Sequence, residues 1–222
     1  MIVCIGDVLD QANADRIRDI IGRCTFKDGG ATAGVAAGLV KNNLQVAPYG
    51  QDYRDAVELI ITKVRQNLMF QMIALPKTLR PPIISRSNAG MGYGVHIDNA
   101  MMGDPPVRAD LSYTLFLSAA DEYEGGELVL EDTQGEHSFK LPQGAMILYP
   151  STFLHRVDTV RAGSRLVAAG WVQSLCRHAN HREILFDIQR LQRSEFEKNA
   201  KSAEFDLLTK TFSNLFRLFS EV

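Results

Sequence analysis

His96 and Asp98 stand two residues apart in the segment YGVHIDNAM. In an extended strand this spacing sends both side chains out of one face, while Val95 and Ile97 take the other. Such a pair can hold one metal ion from one side once a third ligand arrives, and His155, in TFLHRVDTV, is the candidate. Two imidazoles and one carboxylate form a facial set that leaves adjacent positions of an octahedral ion open. The same three residues also suit zinc carrying a water, which would make the protein a hydrolase. A non-catalytic iron-binding or iron-sensing module is a further alternative.

Arg165 lies ten residues past His155, at the start of RLVAAGWVQS. By strand parity it shares a face with Val167, Ala169 and Trp171, and the strand is apolar on both faces. The guanidinium is therefore expected to be buried, and a buried charge requires a partner. Its planar fork of donors matches a carboxylate, so a dicarboxylic ligand is one partner and a structural pair with Asp158 or Asp110 is the other. Hydrolysis gives no reason for such an arginine.

The elements that position these residues can be read from periodicity. Apolar residues Ile17, Ile20, Ile21 and Cys24 mark a helix over 10–24 with Asp10 as N-cap. Val57, Ile60, Ile61, Val64, Leu68 and Met72 mark a second, amphipathic helix from Asp52 to about Ala74. Between them the Gly-rich FKDGGATAGVAAGLVKNN lacks the spacing that cradles phosphates and is read as a turn and a strand over Ala33–Val40. After Pro81 and Pro82 come short runs, IISRS, YGVHIDNAM, LSYTLFLS, ELVLE, HSFKL, AMILYP, TFLHRVDTV and RLVAAGWVQS. They are broken by turn residues at the spacing of a β sandwich or jelly roll. Gly125 and Gly126 are read as a hairpin turn, since both tolerate positive φ. Two further helical stripes, Ile184, Leu185, Ile188 and Leu191, then Phe205, Leu208, Phe212, Leu215 and Phe219, close the chain. They are expected to pack on the β core or to form a homo-oligomer contact. The expected class is mainly β with flanking helices.

The segment RSNAGMGYGVHIDNAM resembles the R-Y-x-x-G-x-x-Y-x-x-H-x-D pattern of prolyl-4-hydroxylase-like iron and 2-oxoglutarate oxygenases through Arg86, Gly90, Tyr93, His96 and Asp98. His155 and Arg165 match the distal half of that pattern. ATAGVAAGLVKNN, YEGGELVL and the C-terminal helices are similar to the bacterial PKHD-type hydroxylases, the branch related to iron-uptake factors. The resemblance implies a double-stranded β-helix (jelly roll) over 78–176. It is preceded by N-terminal helices and first strands of the core in 1–77 and followed by a C-terminal helical region in 177–222. It implies Fe(II) on His96, Asp98 and His155, and 2-oxoglutarate with its distal carboxylate on Arg165. O2 is consumed, succinate and CO2 are released and a small-molecule or peptide substrate is hydroxylated, with L-ascorbate (vitamin C) as reductant. One position departs: the pattern's cosubstrate-holding Tyr is Ser87 here, and Tyr93, Tyr113 or Thr114 could compensate.

The chain has 222 residues and a formal net charge of −2, from 24 Lys and Arg against 26 Asp and Glu. Near neutrality, with acids and bases interspersed, argues against nucleic acid or an anionic membrane as partner. No apolar run approaches a membrane span, the opening MIVCIGDVLD lacks the basic start of a signal peptide, and Cys4, Cys24 and Cys176 are odd in number. A cytoplasmic protein is the expectation. His178 and His181 are read as a solvated helix start, His137 as a surface residue, and Cys176 as a structural thiol. Asn88 and Asn99 are near the site by parity or proximity. Residues 28–38, Met101 to Gly103 and the 104–109 loop are the expected substrate borders.

Overall fold

The computed structural model describes residues 1–30 and 38–221. Helix α1 (Gln11–Gly22) starts where the Asp10 carboxylate accepts from Asn13 N at 2.8 Å, and buries Ala14, Ile17, Ile20 and Ile21. The second amphipathic stretch is two helices rather than one. α2 (Gln51–Gln66) ends and α3 (Leu68–Ala74) begins at Asn67, whose extended backbone breaks the helix and whose side chain accepts from Phe70 N. The break shifts the helical phase, so Leu68, one residue of the expected stripe, is 52% exposed. Most of the strand expected over Ala33–Val40 lies outside the described residues; Gly38 to Val40 are helical or turn, and only Lys41–Asn42 (β3) pairs, with β7 (Gly92–His96).

The short runs form two facing sheets, a jelly roll. The larger runs β1 (Val3–Ile5), β14 (Met146–Pro150), β10 (Leu111–Phe116), β16 (Val160–Ser174), β6 (Ile83–Asn88), β4 (Leu44–Val46) and β2 (Phe26–Asp28). β5 (Pro76–Leu79) and β11 (Tyr123–Gly125) also pair with β16. The smaller sheet runs β13 (Gly135–Phe139), β12 (Leu128–Asp132), β15 (Leu154–Val157), β7 and β3. β8 (Met101–Met102) and β9 (Val107–Arg108) make a separate hairpin.

Alternation along the central strands explains why they are apolar on both faces. Leu111, Tyr113, Leu115, Met146, Leu148, Leu166 and Ala168 face the helices and share a core with Ile17, Ile60 and Phe70. Phe116, Ile147, Tyr149 and Val167 face inward and meet Leu128 and Leu130 of the smaller sheet. The functional residues lie in this second, inter-sheet layer.

Gly125 and Gly126 do take positive φ, 72° and 68°, but they are not a hairpin turn. β11 pairs with β16 while β12 pairs with β13 and β15, so the chain crosses there from one sheet to the other. A Cβ on Gly126 would lie 3.0 Å from Arg165 Cδ, so the missing side chain also makes room for the buried arginine.

The C-terminal helices, α4 (Ala179–Asn199) and α5 (Ala203–Phe219), pack on each other and beside α3 and the end of β16, and of their described residues only Phe186 reaches the main core. Leu185, Phe212, Leu215, Phe216 and Phe219 cluster with Leu75 and the buried Cys176, and Arg182 donates to the Cys176 and Arg177 carbonyls. His181 is not solvated as expected: its ring stacks on Phe219 at 3.9 Å, while His178 is the exposed N-cap of α4.

Candidate active site

His96 ends β7 and His155 lies opposite it on β15, so two adjacent antiparallel strands bring the imidazoles together with ring centroids 4.2 Å apart. Asp98 lies two residues past the end of β7, in a loop rather than in the strand as expected. Parity holds for Val95, which is 52% exposed and off the cavity wall, whereas Ile97, 53% exposed, also borders the cavity. Ligand atoms of His96, Asp98 and His155 all lie within 4.8 Å of one another.

Each histidine is oriented by a backbone carbonyl. His96 Nδ1 donates to Gly94 O at 2.8 Å and His155 Nδ1 to Phe153 O at 3.1 Å, which leaves both Nε2 lone pairs for a metal. His155 Nε2 is 3.8 Å from Asp98 Oδ2. Burial, then the neighbouring His155, pulls His96 down to about 4, so the imidazole is neutral near pH 7. Ser112 Oγ donates to Asp98 Oδ2 at 2.6 Å and is 2.7 Å from Ser151 Oγ. With its one proton engaged on Asp98, Ser112 accepts from Ser151.

A cavity of about 310 Å³ contains this cluster. Arg165, Val167, Ala169 and Trp171 border it in the alternation expected of β16. Arg165 is 3% exposed. Neither structural partner considered for it is available: Asp158 pairs with Arg156 at 2.8 Å and Asp110 with Arg108 at 2.7 Å. Arg165 makes no ion pair among the described residues, and its Nε is buried without a partner. Burial holds the guanidinium below its ordinary pKa, opposed mainly by the Tyr123 hydroxyl. The donor set therefore fits iron, and the unmatched fork fits the far carboxylate of 2-oxoglutarate.

The other expected contacts divide. Thr114, buried on β10, faces the cavity. Tyr93 borders it with its ring stacked on His96 at 3.5 Å, and burial pushes its hydroxyl up to about 12. Tyr113 also touches the cavity, but its ring lies in the helix-side core, edge-on to Phe70, and its buried hydroxyl has no partner among the described residues. Ser87 is buried opposite Arg165 on β6, and the hydroxyls that act on that guanidinium are Tyr123 and Tyr149. Asn99, Met102 and Gly103 line the cavity, whereas Asn88 accepts from Ser164. His137 reaches Asp132 at 3.3 Å on the surface.

Ser112, Ser151, Tyr149, Lys41 and Arg80 escaped the sequence reading. Ser112 carried a readable signal, since Ser112 and Thr114 are polar in alternation with Leu111, Tyr113 and Leu115. The Lys41 amine lies 5.3 Å from the centre of the Tyr93 ring and is pulled down to about 8 by burial.

The family model of the 2OG-Fe(II) oxygenase superfamily matches residues 83–173. A PKHD-type hydroxylase of Synechococcus sp. (strain JA-2-3B'a(2-13)) is 46% identical over 224 residues, with all of both chains covered. One of Thermosynechococcus vestitus is also 46% identical over the full length of both. Among solved structures, a Pseudomonas putida prolyl-4-hydroxylase is similar at TM-score 0.51 and 17% identity, over 78% of this chain and 92% of that one. The viral collagen prolyl hydroxylase of Paramecium Bursaria Chlorella virus-1 is similar at TM-score 0.55 and 17% identity, over 78% and 96%. These two likenesses concern the fold, and the full-length relatives carry the family: this chain belongs to the PKHD-type hydroxylases of the 2OG-Fe(II) oxygenase superfamily.

Proposed function

We propose that His96, Asp98 and His155 hold Fe(II) and that Arg165 clamps the distal carboxylate of 2-oxoglutarate while a substrate C–H bond is hydroxylated. The observation that supports this most is the buried Arg165, without an ion pair, in the same cavity as the His-Asp-His cluster. When bound, iron and 2-oxoglutarate would supply the oxidising power from O2, with succinate and CO2 as by-products. The chain's own part is placement. Gly94 and Phe153 carbonyls fix the imidazole tautomers, Ser112 and Ser151 hold one Asp98 oxygen, and Arg165 sets the cosubstrate's direction. Thr114 and Tyr93 would border the bound cosubstrate, and Tyr113 would touch it only through its hydroxyl.

The proposal extends to L-ascorbate as the reductant that keeps the metal ferrous, and to the cytoplasm, where the free Cys4, Cys24 and Cys176 stay reduced. Among the described residues no helix is long and apolar enough to cross a membrane. Anaerobic reconstitution with Fe(II) and 2-oxoglutarate, followed by admission of O2, tests the assignment. Succinate should form slowly without substrate, and Asp98→Ala should form none. Equal succinate from Asp98→Ala removes Asp98 from the ligand set, and turnover with zinc in place of iron overturns the oxygenase reading.

A further inference from the structure

We propose that the substrate carries a carboxylate and that Arg80 reads it, at the end of the cavity opposite Arg165. This rests on the oxygenase reading above and adds the class of molecule that the site accepts.

Arg165 and Trp171 stand six residues apart on one face of β16, about 20 Å along a strand at roughly 3.3 Å per residue. Arg165 takes the cosubstrate's end. Arg80 belongs to the other, because its backbone N–H donates to Trp171 O at 3.0 Å as the chain leaves β5. The guanidinium borders the cavity and makes no hydrogen bond or ion pair among the described residues.

Three partly or fully buried arginines outside the cavity have polar partners, while Arg86 lies over the Phe26 ring. Arg108 pairs with Asp110 and Glu221, Arg156 with Glu136 and Asp158, and Arg182 with two carbonyls. Arg165 and Arg80, the two arginines on the cavity wall, lack ion pairs. The cosubstrate accounts for the first and leaves the second unexplained.

Arg80 is also held in place. At Gly103, φ is +78° and a Cβ would lie 1.9 Å from Arg80 Nη2 and 2.6 Å from Nη1, so the missing side chain lets the guanidinium lie against the β8–β9 loop. On the same cavity wall, the Trp171 indole N–H is buried and has no partner among the described residues. A planar fork, with an unpartnered N–H donor on the same wall, suits a carboxylate. Asp98 is the one carboxylate on the wall among the described residues and belongs to the metal set, so an acid arriving at this end meets no other negative charge. The cavity, about 310 Å³, must also take the cosubstrate, which leaves room for a small acid or for the terminal carboxylate of a peptide.

Calorimetry on the protein saturated with Fe(II) and 2-oxoglutarate under nitrogen tests this. The probes are hexanoate against hexanamide, and N-acetyl-tetra-alanine with a free C-terminus against its C-terminal amide. At least one acid should bind tenfold or more tightly than its amide, and the better pair tells free acid from peptide end. Arg80→Gln should abolish the preference, Arg80→Lys should retain part of it, and Gly103→Ala, which displaces the guanidinium, should lose it with Arg80 itself unchanged. No preference in the wild type, absence of acid binding included, overturns the proposal, as does a preference that survives both Arg80→Gln and Gly103→Ala. A protein that takes up neither Fe(II) nor 2-oxoglutarate fails the oxygenase reading; one that takes up both and ignores the acid fails the Arg80 assignment alone.

Discussion

Arg165 differs from Arg182, the other buried arginine, in that Arg182 donates to two backbone carbonyls while no carboxylate pairs with Arg165 among the described residues. Arg165→Lys keeps the charge but loses the fork, so the apparent affinity for 2-oxoglutarate should fall more than tenfold, about 1.4 kcal/mol. An unchanged Michaelis constant for 2-oxoglutarate would assign Arg165 to packing. Ser112→Ala removes the donor to Asp98 Oδ2, which should weaken Fe(II) binding by about tenfold, the usual scale for a group orienting a metal ligand. Metal titration by calorimetry checks it, and wild-type Fe(II) affinity would mean that the loop alone orients Asp98. His96 and Asp98 stood out as a pair because their two-residue spacing puts both on one side of the chain, and Arg165 because a charge in a strand apolar on both faces has to be buried, as it is at 3% exposure. Ser151, Tyr149 and Arg80 were not, because each reaches the site through a pairing between segments far apart in sequence, and no local pattern marks such a contact. Tyr93, Tyr113 and Thr114, expected to offset Ser87, all border the cavity, and Tyr123 and Tyr149, the hydroxyls that act on Arg165, lie on β11 and β14, where no local pattern pointed to them.

At the level of elements, alternation in the central strands was legible since a two-sided core demands apolar residues on both faces. The break at Asn67 was hidden because the apolar stripe resumes after it, at Phe70 and Met72. The Gly125–Gly126 crossing was misread as a hairpin because positive φ is common to both and only sheet membership separates them. That crossing makes a prediction. Gly126→Ala places a Cβ at φ 68° and 3.0 Å from Arg165 Cδ, 2.9 Å from Val160 Cγ2. The left-handed backbone alone should cost about 1–2 kcal/mol, and displacement of Arg165 should raise the Michaelis constant for 2-oxoglutarate. Urea unfolding with steady-state kinetics reads both. A stability loss without a kinetic change would separate the crossing from the placement of Arg165.

For the molecule as a whole, the site lies between two sheets that contribute different parts of it. His96 and His155 belong to the smaller sheet, while Arg165 and Ser112, the partner of Asp98, belong to the larger. Ligands held by both sheets bind the folded chain alone, so metal and cosubstrate should stabilise the entire jelly roll rather than one loop. At a hundred times the dissociation constant, linkage gives about 2.7 kcal/mol, which for a chain of this size raises the melting midpoint by about 5–11 °C. Anaerobic calorimetric scans should show a rise with Fe(II), a further rise with 2-oxoglutarate, and reversal by a chelator. Arg165→Lys should lose most of the second increment and keep the first, because it leaves the His-Asp-His set intact. Asp98→Ala should lose both, since a cosubstrate that chelates the metal has nothing to chelate. The ordering is the decisive part: an increment from 2-oxoglutarate that is equal with and without Fe(II) would place the cosubstrate away from the metal and separate the two halves of the site.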